Sequence, residues 1–208
     1  MKELMFNFPL YVITHPFKGF DEMKSHRGSI YYGIIILALS GIVAALQQVY
    51  TGFAVTGIWT ETPFVDIPTT LLFTYSPIIL FCIANYSVTT ITDGKGNMKE
   101  IFLTYTYAMY PMIFCTALGI ILSNVLTANE AGFAIFLFAF GRFLLFFYLF
   151  IGLIVIHEYT FFKSLLMVAL TILAILIISF VLALMFSLLG NVIGIITTII
   201  WEINIHHM

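Results

Sequence analysis

Hydrophobic positions along this chain do not alternate with polar ones, nor do they form one stripe every three or four residues. They run in long blocks, about 29–49, 67–88, 101–126, 133–156 and 164–189, each almost free of charge. A block of about 20 apolar residues is what a helix needs to cross the ~30 Å hydrocarbon core of a bilayer. Inside hydrocarbon only a helix satisfies its own backbone hydrogen bonds, and the missing alternation excludes a barrel. The pattern therefore predicts an all-α, polytopic membrane bundle of five transmembrane helices, with residues 28–189 as one membrane domain. The connections are short and polar: Gly52, Gly57, Trp59 and Pro63 after the first span, Asp93-Gly94-Lys95-Gly96-Asn97 after the second, and Thr127 to Gly132 after the third.

Both ends differ from the spans. In residues 1–27, Leu10, Ile13, Phe17 and Phe20 recur at spacings of three and four, with Lys18, Asp21, Glu22 and Lys24 largely on the other side. That spacing predicts an amphipathic helix from Pro16 to about Ser25 on the inner leaflet, with Pro16 in its first turn. Residues 190–208 start at Gly190, Asn191 and Gly194, which read as an interruption. Beyond it Val192, Ile195, Ile196, Ile199, Ile200 and Ile203 share a face, predicting a separate interfacial helix anchored by Trp201.

Composition agrees: of 208 residues 62% are hydrophobic and 9% charged, against roughly a quarter charged in soluble domains. The net charge of −2 and the lack of a dense basic run exclude nucleic acid as an expected partner. Basic residues fall on one side. Lys2, Lys18, Lys24 and Arg27 precede the first span, Lys95 and Lys99 follow the second and Lys163 the fourth, whereas Glu61, Asp66, Glu130 and Glu202 occupy the other connections and the tail. By the positive-inside rule the amino terminus is cytoplasmic, and five crossings put the carboxyl terminus outside. The start has no small-residue cleavage site and is expected to be retained.

Arg142 alone escapes this partition. Near mid-bilayer it costs about 2.5 to 3.5 kcal/mol on insertion scales, so partners are expected, with Asn85, Tyr105, Tyr107 and Asn124 as candidates and Glu130 if it folds inward. Such an Arg either ties helices together or lines a coupling or solute site. Pro77 and Pro111 each remove an intrahelical bond and predict kinks, which are commonplace in bundles and also line sites in transporters. Tyr105, Tyr107 and Tyr110 read as interface aromatics. The turn Asp93, Gly94, Lys95, Gly96 lacks the spacing of a phosphate loop; with Lys99 and Glu100 it is either a tight reversal or a docking surface. His157-Glu158 lacks the second His of a zinc protease, no nucleophile has a His and a carboxylate in register, and Cys82 and Cys115 fall within spans. No enzymatic activity, metal or cofactor is expected. Small residues such as Gly41, Ala44 and Ala45 would admit a neighbouring helix closely.

The order of features resembles the Yip domain family of membrane proteins in its compact bacterial form. The residues that carry it are Pro16-Phe-Lys-Gly-Phe20, Asp93-Gly-Lys-Gly-Asn-Met-Lys-Glu100, Tyr107-Ala-Met-Tyr-Pro111 and Leu126-Thr-Ala-Asn-Glu130. The resemblance implies five spans without established enzymatic activity. Eukaryotic relatives act in vesicle traffic, bind small GTPases and associate with one another; the long cytoplasmic amino-terminal region of those relatives has no counterpart in these residues, so a GTPase is not the expected partner. Some bacterial members accompany export or sugar-uptake ABC transporters. The resulting expectation is a cell-membrane scaffold or accessory subunit that binds other integral membrane proteins, such as ABC transporter permease subunits, or itself. A small transporter or channel with a path near Arg142, and a membrane-shaping protein, are the alternatives.

Overall fold

The computed structural model describes residues 2–25, 30–52, 55 and 66–206, with side chains from 8 to 198 within that set. Trp59 and the loop 56–65 lie outside the described residues, as does the side chain of Trp201. Among the described residues the chain is helical, with no strand. In order, the helices are α1 (Lys2–Thr14), α2 (Pro16–Ser25), α3 (Ile30–Tyr50), α4 (Ile67–Ile91), α5 (Met98–Val125), a 3-10 turn (Ala128–Glu130), α6 (Ala131–His157) and α7 (Phe161–His206). Five of them, α3 to α7, are long and apolar enough to span a bilayer.

Local chemistry sets the ends. The Asp66 Oδ1 accepts from the Thr69 N–H at 3.2 Å to start α4. At α5, Asn97 Oδ1 accepts from the Glu100 N–H and Glu100 Oε2 from the Asn97 N–H, both at 3.0 Å, a reciprocal capping box. Pro16 opens α2 as expected. The helix α1 runs through Pro9, although Asn7 and Pro9 interrupt the apolar pattern in the sequence.

The central helix is α5, half buried, flanked by α6 and α3, with α4 beside them. Glycines let α5 and α6 approach: a Cβ on Gly141 would lie 2.9 Å from the Cβ of Cys115, and one on Gly119 2.5 Å from the Phe138 ring. Gly41 serves the inside as well, buried beneath Tyr75 of α4 rather than open to another protein. The amphipathic start is divided in a way its spacing did not announce. Phe20 and Met23 of α2 are buried in the core with Val12 of α1, and α2 packs on α6, while Leu10 and Phe17 stay exposed.

The expected break between residues 189 and 190 is absent. Gly190, Asn191 and Gly194 continue one 46-residue helix, and nothing lies within 4 Å of a Cβ on either glycine. A mid-helix glycine costs about 1 kcal/mol relative to Ala, too little to stop a helix that has no proline and gains a backbone bond at every residue. From 180 to 198 every residue is exposed.

Candidate functional site

Two features stand out. One is a polar junction at the end of the bundle that carries Lys24, Lys95 and Lys163; the other is a crevice around Arg142.

The junction forms where the α4–α5 turn meets the α6–α7 turn. The chain leaves α4 through Asp93, which adopts a left-handed conformation (φ 57°), and the Gly94 N–H returns to the Thr89 carbonyl at 2.8 Å. A Cβ on Gly94 would come within 2.5 Å of the Tyr159 hydroxyl, and one on Gly96 within 2.8 Å of His157 Cε1. Both glycines are therefore required by close approach. The Gly96 N–H donates to His157 Nδ1 at 3.2 Å. Since an N–H can only donate, Nδ1 must accept, and the ring proton sits on Nε2, 3.2 Å from Asn85 Oδ1. Asn85 Nδ2 then donates to the Thr171 hydroxyl at 3.1 Å, which donates to the Met167 carbonyl at 2.8 Å. This chain of four bonds is buried and ties the α4–α5 turn, α6, α4 and α7 together. The His157 ring also stacks on Tyr159, with centroids 5.3 Å apart, and the Lys163 ammonium lies 4.4 Å from the centre of the Tyr159 ring.

Outside this core sits Glu158, itself left-handed at φ 56°. Its carboxylate accepts from Lys24 of α2 at 2.9 Å and from Lys95 at 2.5 Å, and Lys24 also donates to the Ile156 carbonyl at 3.3 Å. The hydrogen bonds from Lys24 and then Lys95 hold the Glu158 carboxyl far below the usual range, at about 2. One carboxylate thus clamps the amphipathic helix α2 and the α4–α5 turn to the same point.

The turn expected to be either a reversal or a docking surface packs on its own bundle through Lys95 and Gly96. Glu100 is spent in the α5 cap, and Lys99 is exposed in the first turn of α5. Lys24, His157, Glu158 and Thr171 were missed. The sequence offers His157-Glu158 as a fragment of a metal motif; the signal for the junction is a His and a Glu closing an apolar span, opposite a turn with Lys95.

The polar residues expected around Arg142 are not gathered there. Asn85 sits at the level of His157, fifteen residues along α6 from Arg142, or about 22 Å of helix rise. Asn124 lies at the opposite end, donating to the Tyr50 carbonyl at 2.6 Å and its own Ile120 carbonyl at 2.9 Å. Tyr107 is buried against Phe8, its hydroxyl unpaired among the described residues, so it is not an interface aromatic. Glu130 does not fold inward: its carboxylate accepts from the Thr127 N–H at 3.2 Å and hydroxyl at 3.0 Å. Of the expected partners, Tyr105 shares with Arg142 a crevice of about 370 Å³ between α3, α4, α5 and α6, which Pro77 also lines. Pro111 lies on α5, buried, and both prolines sit within unbroken helices.

A bundle of five apolar helices, with no strand among the described residues and polar contacts concentrated at its two ends, defines a polytopic α-helical membrane protein. Residues 10–185 match the Yip1 domain model, and the chain belongs to that family. The match takes in α2, all of α3 to α6 and the first half of α7. No curated protein and no solved structure matches the chain.

Proposed function

We propose that this protein is a non-enzymatic scaffold of the cell membrane that binds other integral membrane proteins through α7, with its amino terminus in the cytoplasm. The observation that carries the reading is the disproportion of α7. Its 46 residues would extend about 69 Å, against a hydrocarbon core of ~30 Å. Only 11% of its most apolar window is buried, its buried residues Ser164, Met167 and Thr171 all lie in its first third, and it packs on α4 and α6. A helix that adds so little to its own bundle offers its surface to something else in the membrane. The junction supports a structural role, since its buried bonds fix helix positions and present no nucleophile.

ABC transporter permease subunits are the partner class to test first. Purification in mild detergent followed by mass spectrometry, with a photocrosslinker at Phe180 of α7, is the direct experiment. Enrichment of permease subunits, crosslinked at that position, is the expected result. Recovery of self-associated protein alone would contradict the partner class, and absence of any crosslink at Phe180 would contradict the role of α7.

A further inference from the structure

Arg142 is exposed on the crevice wall, and among the described residues no hydrogen bond or ion pair reaches it. A guanidinium cannot shed its charge, and at this depth it needs a counter-charge or water. Among the described residues no Asp or Glu lines the crevice. Two of its hydroxyls are already committed to their own helices, Ser40 to the Leu37 carbonyl and Thr74 to the Thr70 carbonyl, each at 2.7 Å. The remaining wall is mostly apolar, with Phe73, Phe138, Leu145 and Phe146 among its residues. Its volume of about 370 Å³ falls within the ~300 to 1,000 Å³ of ordinary ligand sites.

We infer that this crevice binds an acidic phospholipid, its phosphate paired with Arg142 and the upper part of an acyl chain against the aromatic wall. Three features favour a lipid over a free anion. The site is flanked by four membrane-spanning helices, so its occupant is drawn from the bilayer. Its lining is mostly apolar, which disfavours a small hydrated anion. Depth also fits: α6 is 27 residues, about 40 Å, and so overhangs a ~30 Å core by about 5 Å at each end. Arg142 stands eleven residues, about 16 Å, from the Ala131 end, and a helical side chain leans toward the amino-terminal end of its own helix. The long Arg stem therefore carries the guanidinium toward the nearer headgroup layer. The chains that exceed the crevice stay in the bilayer.

The test is native mass spectrometry of the full chain in detergent micelles, with phosphatidylglycerol and phosphatidylcholine of identical acyl chains as probes. The wild type is expected to bind one phosphatidylglycerol with about tenfold preference, the amount one charge-assisted hydrogen bond supplies. Arg142→Gln should reduce that preference to about twofold or less, and Ala44→Phe, which fills the apolar side while leaving the charge, should weaken binding about tenfold. Equal binding of the two lipids by the wild type overturns the inference even if a variant fails to fold. So does a preference that survives Arg142→Gln, or displacement of the lipid by inorganic phosphate alone.

Discussion

At Glu158 a carboxylate in a left-handed position joins three separate parts of the chain. Its pairing with Lys24 and Lys95 lowers its pKa to about 2, from 4.5 in the unpaired group. A lowered carboxyl pKa stabilises the fold above the unfolded value and loses that contribution as pH falls through the folded one. The thermal-stability difference between the wild type and Glu158→Gln is therefore expected to be constant above pH 4.5 and to close between pH 4.5 and 2. Solvent screens this half-exposed group, so the difference is modest. Hydrogen exchange over residues 16–25 should rise in the same variant, since Lys24 loses its anchor. His157 acts differently because it is buried. Replacing it by Ala orphans the Gly96 N–H and the Asn85 carbonyl, at roughly 1 to 3 kcal/mol for a buried unsatisfied group, and should lower the melting temperature in detergent at neutral pH. An unchanged melting temperature would mean that the four-bond chain does not hold the turn.

The helices themselves were legible because hydrophobic blocks and caps are local signals: the five spans, the start of α2 at Pro16 and the turn at Asp93 to Asn97 all follow from short stretches of sequence. What each helix touches was not. Asn85, Tyr107, Asn124 and Arg142 are polar residues of the spans, and only the packing assigns one to the junction, one to a buried aromatic contact, one to a cap at the opposite end and one to a crevice. Glycines show the same ambiguity. Gly141 and Gly190 look alike in sequence, yet a Cβ on the first meets Cys115 and a Cβ on the second meets nothing. Gly141→Leu should therefore part α5 from α6 at a cost of about 1 to 3 kcal/mol or more. Gly190→Ala with Gly194→Ala should stabilise α7 by about 1 kcal/mol for each glycine removed. Thermal unfolding followed by circular dichroism distinguishes the two, and a destabilising Gly190→Ala would show that the tail packs closely on something.

For the molecule as a whole, the fold follows from solvent: long uncharged blocks leave no stable arrangement in water, and closing five of them together produces the bundle seen here. The asymmetry of charge is equally global. Lys24, Lys95 and Lys163 meet at one end, and Glu130 marks the other. Partner choice was less legible, because a surface of Phe, Leu and Ile is equally compatible with lipid and with another helix. The central claim, five crossings with the basic end inside, is tested most directly by labelling single cysteines at Lys99→Cys and Asn129→Cys in intact cells with a membrane-impermeant maleimide, Cys82 and Cys115 being buried. Labelling at 129 but not at 99, with 99 becoming reactive once the membrane is opened, is the predicted result; equal labelling of both positions from outside would contradict it.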